Sequence, residues 1–434
     1  MKYVKSQEIS NLLKDVKLPK MFHAVQEFKK DRIEPERIPA LVYEQLSRPE
    51  ISRTVKPGME IAITAGSRGV ANVDVITKAI VDFCKEKGAR PFIVPAMGSH
   101  GGATPEGQLE VLAGFNITEE TMGCPIRSSM ETVLLGYSKY GKPVYQDKNA
   151  HEADGIILSC RIKPHNAFRG KYESGVLKML VVGLGKQKGA ESVHSDGMDN
   201  MARNIPANGR VALENSKILF AIPCVENAYD ETALIEAIPT DQIFDREPEL
   251  LKIAASNMPS ILVGEADVLV VNEMGKNYSG TGVDPNISGT WSNDYVSGGL
   301  KVKRTCFLDL TDCSHGNANG MGLASVITAR MFEKLDLNKI YMNSFTSTVL
   351  KSAMMPPVVA NDREAIQACI RTANRIDRDH VRMVRIKNTL HIGEIMLSES
   401  YYEDVVNGKY PGLTAVSEPA ELLFDEEGNL ADGM

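Results

Sequence analysis

Cysteine is scarce in this sequence, and its spacing matches no metal or redox motif. Seven cysteines are spread over 434 residues, and no two are spaced as Cys-x-x-Cys. A zinc ribbon and a dithiol redox centre are therefore excluded. An odd, dispersed set argues against a disulfide framework and for a reducing compartment. We expect a cytoplasmic protein.

Long apolar runs and an excess of basic residues are also missing. No stretch reaches the ~18 consecutive apolar residues of a membrane span. The N-terminal segment is too charged for a secretory signal. The 49 basic residues are outnumbered by 56 acidic ones, which gives a net charge of −7. We therefore expect binding neither to membranes nor to nucleic acid, which requires a basic surface.

Three common fingerprints of nucleotide and hydrolase chemistry are absent as well. The first predicted strand is not followed by G-x-G-x-x-G, and neither G-x-x-x-x-G-K-[ST] nor G-x-S-x-G occurs. Ordinary nicotinamide, P-loop and α/β-hydrolase folds therefore lack their signatures.

The sequence does contain a repeated unit of apolar run, glycine-rich polar loop and helical pattern. It occurs at 59–83 and again at 91–114, where Thr104 is the predicted N-cap and Pro105 the first helical residue. Further apolar runs lie at 155–159, 218–222, 268–271 and 305–310. Such alternation predicts an α/β protein with two α/β domains, mainly parallel sheets and an active site in the cleft between the domains. The polar, proline-punctuated stretch 238–260 predicts a boundary between domains 1–250 and 251–434.

Histidines provide the first candidate functional residues. His100, His165 and His315 each follow an apolar strand within a loop, and His194 ends the segment after the second of these loops. A lone loop histidine is usually a solvated or capping residue. Histidines on neighbouring parallel strands, however, converge at one sheet edge, where imidazole suits proton transfer and metal ligation.

Lys178 is the second candidate, because it lies between apolar residues in GVLKMLVVGLG. One interpretation is a lysine whose stem packs on an apolar face while its ammonium reaches water. The other is a buried lysine with a lowered pKa, which can act as a nucleophile or covalent anchor. Both interpretations stay open at this point.

Cations and polar clusters complete the candidates. Four cations lie in the loops after the predicted strands, namely Arg68, Lys163, Arg169 and Lys171. We expect these loops to bind phosphate or carboxylate. In the second half, three polar residues are candidates for a shared cleft, namely Lys276, Asn277 and Tyr278. A second cluster contains Asp309, Asp312, Cys313 and His315. These side chains could bind a metal, or the segment could be a strand-to-helix turn with capping residues.

Four segments taken together resemble the N-terminal domain of the lactate racemase family. These segments are MGSHGGATPEGQ around His100, RIKPHNAFRG around His165, GVLKMLVVGLG around Lys178, and ESVH ending at His194. The order of the four residues and their approximate spacing match the family pattern over roughly residues 10–225.

The resemblance implies a cofactor, the nickel-pincer nucleotide, which is nickel pyridinium-3,5-bisthiocarboxylic acid mononucleotide. It implies that His194 is the metal ligand and that Lys178 holds the cofactor, with a covalent attachment left open. Gly66, Ser67 and Arg68 of the first loop would also contact the cofactor.

The resemblance also implies a reaction, the racemisation or epimerisation of a 2-hydroxy acid by reversible hydride transfer from Cα to the cofactor. His100 and His165 would be the acid/base pair on opposite faces of the substrate. Arg68 would contact the substrate, as would Lys276 from a C-terminal domain that closes over it.

Two departures from the family pattern concern the substrate. Lactate-specific members carry an acidic residue where this chain has Ala65, and the segment between His165 and Lys178 is longer here. A larger or more polar hydroxy acid, such as a sugar acid or a dicarboxylate, is therefore as good a candidate as lactate.

Two other functions remain as alternatives. One is a zinc- or iron-dependent hydrolase or lyase using the same histidines, and the other is a non-catalytic nucleotide- or metal-binding protein. The expected partners are the small-molecule substrate and the enzymes that synthesise the cofactor and insert nickel, and homo-oligomerisation is left open.

Overall fold

The computed structural model describes residues 2–431, and its strands are numbered here in chain order. They are β1 Met21–Gln26, β2 Glu60–Ala65, β3 Arg90–Pro95, β4 Thr132–Tyr137, β5 Pro143–Asp147, β6 Gly155–Arg161, β7 Ile218–Glu226, β8 Thr232–Ile235, β9 Ile238–Pro239, β10 Glu265–Val271, β11 Lys301–Phe307, β12 Val326–Thr328, β13 Val358–Val359, β14 Met383–Ile386, β15 Glu394–Ser398 and β16 Leu413–Ala415.

The α-helices alternate with these strands through most of the chain. They are α1 Gln7–Leu13, α2 Ile38–Ser47, α3 Pro49–Ser52, α4 Val73–Glu86, α5 Pro105–Ala113, α6 Glu119–Met122, α7 Lys148–Glu152, α8 Val176–Lys178, α9 Lys186–His194, α10 Met201–Glu214, α11 Ile243–Asn257, α12 Pro285–Ser288, α13 Ala329–Glu333, α14 Leu337–Ser347, α15 Asp362–Thr372 and α16 Tyr402–Val406.

The chain divides into two compact units, of which the first, Lys29–Met258, is called the central unit here. Its main sheet has the strand order β3-β2-β6-β7-β8, with β9 paired to β7. Strands β3, β2, β6 and β7 run parallel, and β8 and β9 are antiparallel to β7. Alternate residues of β6 enter two different apolar clusters, with Ile156 and Leu158 in one and Ile157 in the other. The sheet is therefore buried on both faces, as parallel sheets require.

The second unit, called the terminal unit here, combines the segment up to Phe28 with the segment from Pro259 onward. Its sheet has the order β13-β12-β11-β10-β14-β15-β1-β16. The strands from β13 to β14 in that order are parallel, and β15, β1 and β16 add antiparallel pairs. Both units are thus α/β with mainly parallel sheets, and the predicted fold class is confirmed.

The division of the chain differs from the predicted domains 1–250 and 251–434. Strand β1 pairs Phe22 with Leu397 and Ala24 with Ala415, so the N-terminal segment belongs to the terminal unit. Local sequence patterns carry no information about so distant a partner. The other boundary lies after Met258, because α11 continues past residue 250. That position falls within the polar stretch 238–260.

Local structure matches the sequence signals around the loop after β3. Thr104 caps α5, where its hydroxyl accepts a hydrogen bond from the N–H of Gly107 at 3.1 Å, and Pro105 is the first helical residue. Within residues 2–431, no helix is long and apolar enough to cross a membrane.

Candidate functional site

Three loops of the central unit meet at one edge of its sheet. Strands β3, β2 and β6 are parallel neighbours, so their carboxyl ends lie side by side. The loops that follow them carry His100, Arg68 and His165, respectively. In α/β sheets this edge is where ligands bind.

A helical segment with a π-helical turn crosses the same edge. Helix α8 ends at Lys178 and continues as a π-helical turn, Met179–Gly183, in which the N–H of Leu184 donates to the carbonyl of Met179 at 2.9 Å. Such turns are rare and occur frequently at functional sites. The turn touches two of the post-strand loops. Gly98 N–H donates to the Gly183 carbonyl, and a Cβ on Gly66 would lie 3.2 Å from Cε of Met179.

Electrostatic effects show that four predicted residues share this site. Burial lowers the pKa of Lys178 to about 8, with Arg68 as the second cause. Burial, followed by Lys178, lowers the pKa of His194 to about 4. The pKa of His165 lies well below its ordinary value, first through burial and then through Lys178, His194, Arg169 and Arg68. These side chains are close enough to repel one another when charged.

The repulsion determines their protonation near neutral pH. Both His165 and His194 are uncharged there, and an uncharged imidazole is the form that binds metals. A fraction of Lys178 is the free amine, the nucleophilic form of lysine. Arg68 stays cationic, although the surrounding protein and Arg161 lower its pKa. The site therefore favours an anionic ligand.

His165 is held in a defined orientation by its own loop. The ring is buried, with 9% of the residue exposed, and it packs on Phe168 with 4.3 Å between ring centroids. Its Nδ1 accepts the N–H of Ala167 at 3.0 Å. In the neutral ring the hydrogen is therefore on Nε2. For Nε2 to accept a proton, this bond from Ala167 must first be released.

His100 differs from His165 in its exposure. Its backbone is fixed, since its N–H donates to the Met97 carbonyl and its carbonyl accepts Nε2 of Gln108 at 3.3 Å. Its side chain is exposed to solvent. The structure thus places one buried and one exposed histidine in neighbouring loops.

The loop that bears Arg68 is anchored by an ion pair that the sequence reading did not identify. Arg161 at the end of β6 pairs with Glu226 at the end of β7, and it also donates to the Gly69 carbonyl. The second oxygen of Glu226 accepts the N–H of Ala71 at 2.7 Å. Two neighbouring strands therefore fix both sides of the turn that follows Arg68.

Two buried charged residues were also missed. Glu173 accepts the N–H of His165 at 2.6 Å and that of Gly170 at 3.1 Å, which closes the His165 loop. Lys186 is fully buried, pairs with Asp147 at 3.2 Å and donates to the carbonyl of Pro95 at the end of β3. Lys186 has its partners on other loops and strands, and the partners of Glu173 are backbone groups of its own loop. Neither kind of partner gives a signal in the sequence that distinguishes these residues from a surface charge.

The candidates of the terminal unit make local contacts. Lys276 Nζ donates to the Gly280 carbonyl at 2.6 Å, Asn277 accepts the hydroxyl of Thr311, and Tyr278 donates to Glu273 at 2.6 Å. A substrate contact by Lys276 remains a prediction.

The metal cluster considered around His315 is not present. Between residues 2 and 431 no group of three histidine, cysteine or acidic side chains is placed to hold a metal ion. Asp309 instead pairs with Lys334 at 2.9 Å, and residues 312–314 form a short 3-10 turn. The alternative of a turn without a metal agrees with this local structure, although the segment leads through two short 3-10 turns into β12 and not into an α-helix.

Part of this chain is similar to a known protein family, and its fold is similar to solved structures. Residues 5–204 match the family model described as the lactate racemase N-terminal domain. The lactate racemase apoprotein from Thermoanaerobacterium thermosaccharolyticum is similar with a TM-score of 0.49 and 13% identity, covering 85% of this chain and 98% of that one. A crystal structure of a Thermotoga maritima protein is similar with a TM-score of 0.47 and 13% identity, covering 65% and 72%. A search of curated proteins finds no match.

The sheet and its polar edge define an α/β protein whose candidate site lies at the carboxyl ends of parallel strands. By the family match, residues 5–204 carry a domain similar to the lactate racemase N-terminal domain. The match supports a racemase or isomerase kind of function.

Proposed function

We propose that this protein is a racemase or epimerase of a 2-hydroxy acid that works with a nickel-pincer nucleotide. The observation that carries the proposal is the grouping of His165, Lys178 and His194 near Arg68, where burial and the neighbouring cations lower their pKa values. These are the residues through which the chain resembles lactate racemases, and an ordinary structural role explains neither the grouping nor the burial.

The residues present fit such a cofactor. His194 has a pKa of about 4 and is an available imidazole ligand. No group of three protein donors is placed to hold a metal within the described residues, so the other donors to nickel would come from the cofactor. Soft sulfur donors with an imidazole suit nickel(II). Lys178 would hold the cofactor, because its lowered pKa makes the nucleophilic amine available near neutral pH, and Gly66 and Ser67 of the first loop would also contact the cofactor.

When bound, the cofactor supplies the acceptor for the hydride that leaves Cα. The chain supplies the proton transfers. The substrate hydroxyl would lose its proton to one histidine, and the other histidine would return a proton on the opposite face of the planar 2-keto acid, which inverts the centre. His100, whose side chain is exposed, would accept the first proton. His165 starts as a hydrogen-bond donor through Nε2, and it exchanges roles with His100 only after its ring releases Ala167.

The substrate carboxylate is the anion that the site requires. Arg68 is exposed and lies beside a turn whose backbone is fixed by Arg161 and Glu226, and its guanidinium would bind a carboxylate or the cofactor phosphate. Because Ala65 leaves the first loop uncharged at its start, a sugar acid or dicarboxylate remains as good a candidate as lactate.

Neither alternative function is favoured by the site. A zinc or iron hydrolase needs about three protein ligands, and no such group exists among residues 2–431. A non-catalytic binding protein has no need for two histidines in neighbouring loops beside a cationic cluster.

The test is metal analysis, intact mass and enantiomer exchange on protein co-produced with the enzymes that synthesise the cofactor and insert nickel. The racemase predicts bound nickel, an added mass on Lys178 if attachment is covalent, and interconversion of one 2-hydroxy acid from a panel. His194→Ala should lose nickel. His100→Ala and His165→Ala should keep nickel and lose exchange.

The variants also distinguish the alternatives. Bound zinc or iron with an unmodified Lys178 would favour the hydrolase. Nickel binding without exchange of any panel member, unchanged by His100→Ala, would favour the binding protein. Exchange that survives in both loop variants would refute the acid/base assignment.

A further inference from the structure

A carboxyl group without charged partners lies at the start of the helix that carries Lys178. Glu247, in the middle of α11, is 1% exposed. Its Oε2 accepts the N–H of Leu177 at 3.0 Å, and the N–H of Val176 also stabilises its charged form. Its Oε1 has no hydrogen-bond partner within the described chain.

The backbone at this point is shaped to fit the carboxyl. A Cβ added to Gly175 would lie 2.3 Å from Oε1 of Glu247, a distance that real Cβ atoms do not reach. Any side chain at residue 175 would therefore push the carboxyl away from the N–H groups that it accepts. Glycine is required here because of this close approach.

Burial raises the pKa of Glu247 to about 8, so near neutral pH the group is mostly the uncharged acid. A buried polar group that is only partly satisfied costs stability. Leu177 would satisfy its N–H equally well with a backbone carbonyl or water. The hydrogen bond to Leu177 therefore does not by itself explain why a carboxyl group is buried at this position.

We propose that Glu247 is a positioning residue for Lys178, acting through the first turn of α8. Its oxygen fixes the N–H groups of Val176 and Leu177, and these set where the α-helical turn passes into the π-helical turn that starts at Met179. The ammonium of Lys178 is thereby held among Arg68, His165 and His194. The functional meaning of this placement rests on the proposed function, in which Lys178 holds the cofactor.

The test measures Lys178 itself in protein made without cofactor. Acetylation by acetic anhydride is followed by peptide mass spectrometry across pH 6–11, and the midpoint of the rate profile reports the pKa of the amine independently of its accessibility. In the unchanged protein we expect a midpoint near pH 8 for Lys178, and the exposed Lys188 is followed in the same digest as an internal reference for the reagent.

Glu247→Ala should move the Lys178 midpoint upward by about one unit or more, which makes the reaction at pH 8 about fivefold slower or more. Glu247→Gln keeps an acceptor oxygen and should leave the midpoint unchanged. Gly175→Ala should reproduce the shift of Glu247→Ala, and the double variant should shift no further, because both act on one contact. Glu249→Gln, two residues along α11 and exposed, is the matched control.

An unchanged Lys178 midpoint in a folded Glu247→Ala or Gly175→Ala protein would overturn the proposal. If Glu247→Ala does not fold, Gly175→Ala and Glu247→Asp, which is one methylene too short to reach Leu177, decide the question in the same way. A failure of the proposed function itself would be seen separately, as absence of nickel and added mass from the co-produced unchanged protein with the midpoint shifts intact.

Discussion

Lys186 is the residue whose replacement we expect to destabilise the central unit most clearly. Its side chain is fully buried, as is that of Asp147, 3.2 Å away. Its ammonium also donates to the Pro95 carbonyl and to Oε1 of Gln108 at 3.1 Å. It therefore joins the end of β3, the start of α5 and the start of α7.

Lys186→Met keeps the length of the side chain and removes only the charge and its three donors. Asp147 is then left as a buried carboxyl group without its counter-charge, held by the backbone N–H groups of Asn149 and Ala150 at the start of α7. Removing one partner of a buried ion pair costs about 3–5 kcal/mol. For a unit the size of Lys29–Met258, this corresponds to a melting temperature lower by about 6–20 °C.

The assay is thermal and urea unfolding, with two comparison variants. Lys188→Met removes an exposed lysine two residues away, whose contact is a surface cation–π pair with Tyr145, and should cost less than about 1 kcal/mol. The double variant Lys186→Met, Asp147→Asn also removes the unpaired charge of Asp147, and it should recover part of the lost free energy of unfolding. A Lys186→Met protein within 1 kcal/mol of the unchanged protein would show that the pair does not hold these elements together.

Three further predictions concern the site. Raising the pH from 7 to 9 should increase cofactor attachment to Lys178, because its pKa of about 8 makes the amine the major form only above that pH; attachment that is independent of pH, measured by intact mass, would contradict this. Glu173→Ala should cost about 1–3 kcal/mol and speed hydrogen exchange at the His165 amide, whereas Glu173→Gln should change both less; equal effects would mean that the acceptor oxygens do not close the loop. Glu226→Gln should raise KM for the acid substrate more than it lowers kcat, because it loosens the loop of Arg68, and a pure kcat effect would refute that role.

The fold class could be predicted from the sequence because each part of it is local. Apolar runs followed by glycine-rich loops specify strands and the turns after them, and Thr104 with Pro105 specifies the start of α5. The parallel arrangement then places His100, Arg68 and His165 at one edge, since all three follow neighbouring strands.

The grouping of Lys178 with His165 and His194 was predicted from family resemblance. The tertiary structure added its physical consequence, which is the lowering of their pKa values. The lowered pKa values of these residues depend on burial and on one another, and neither can be calculated from spacing along the chain. The choice between a solvated and a buried Lys178 was open in the sequence for the same reason.

Other features depended on the tertiary structure alone. The attachment of β1 to β15 joins opposite ends of the chain, so the domain boundary differed from the prediction. Lys186, Glu226 and Glu247 look like surface charges in the sequence, and each acquires its role only when a distant backbone group or counter-charge is brought to it. Glu173 acquires its role when its own loop folds back and brings the N–H groups of His165 and Gly170 to it. Periodicity and turn residues act over a few positions and therefore determine local structure, whereas burial of a charge depends on the whole of its surroundings.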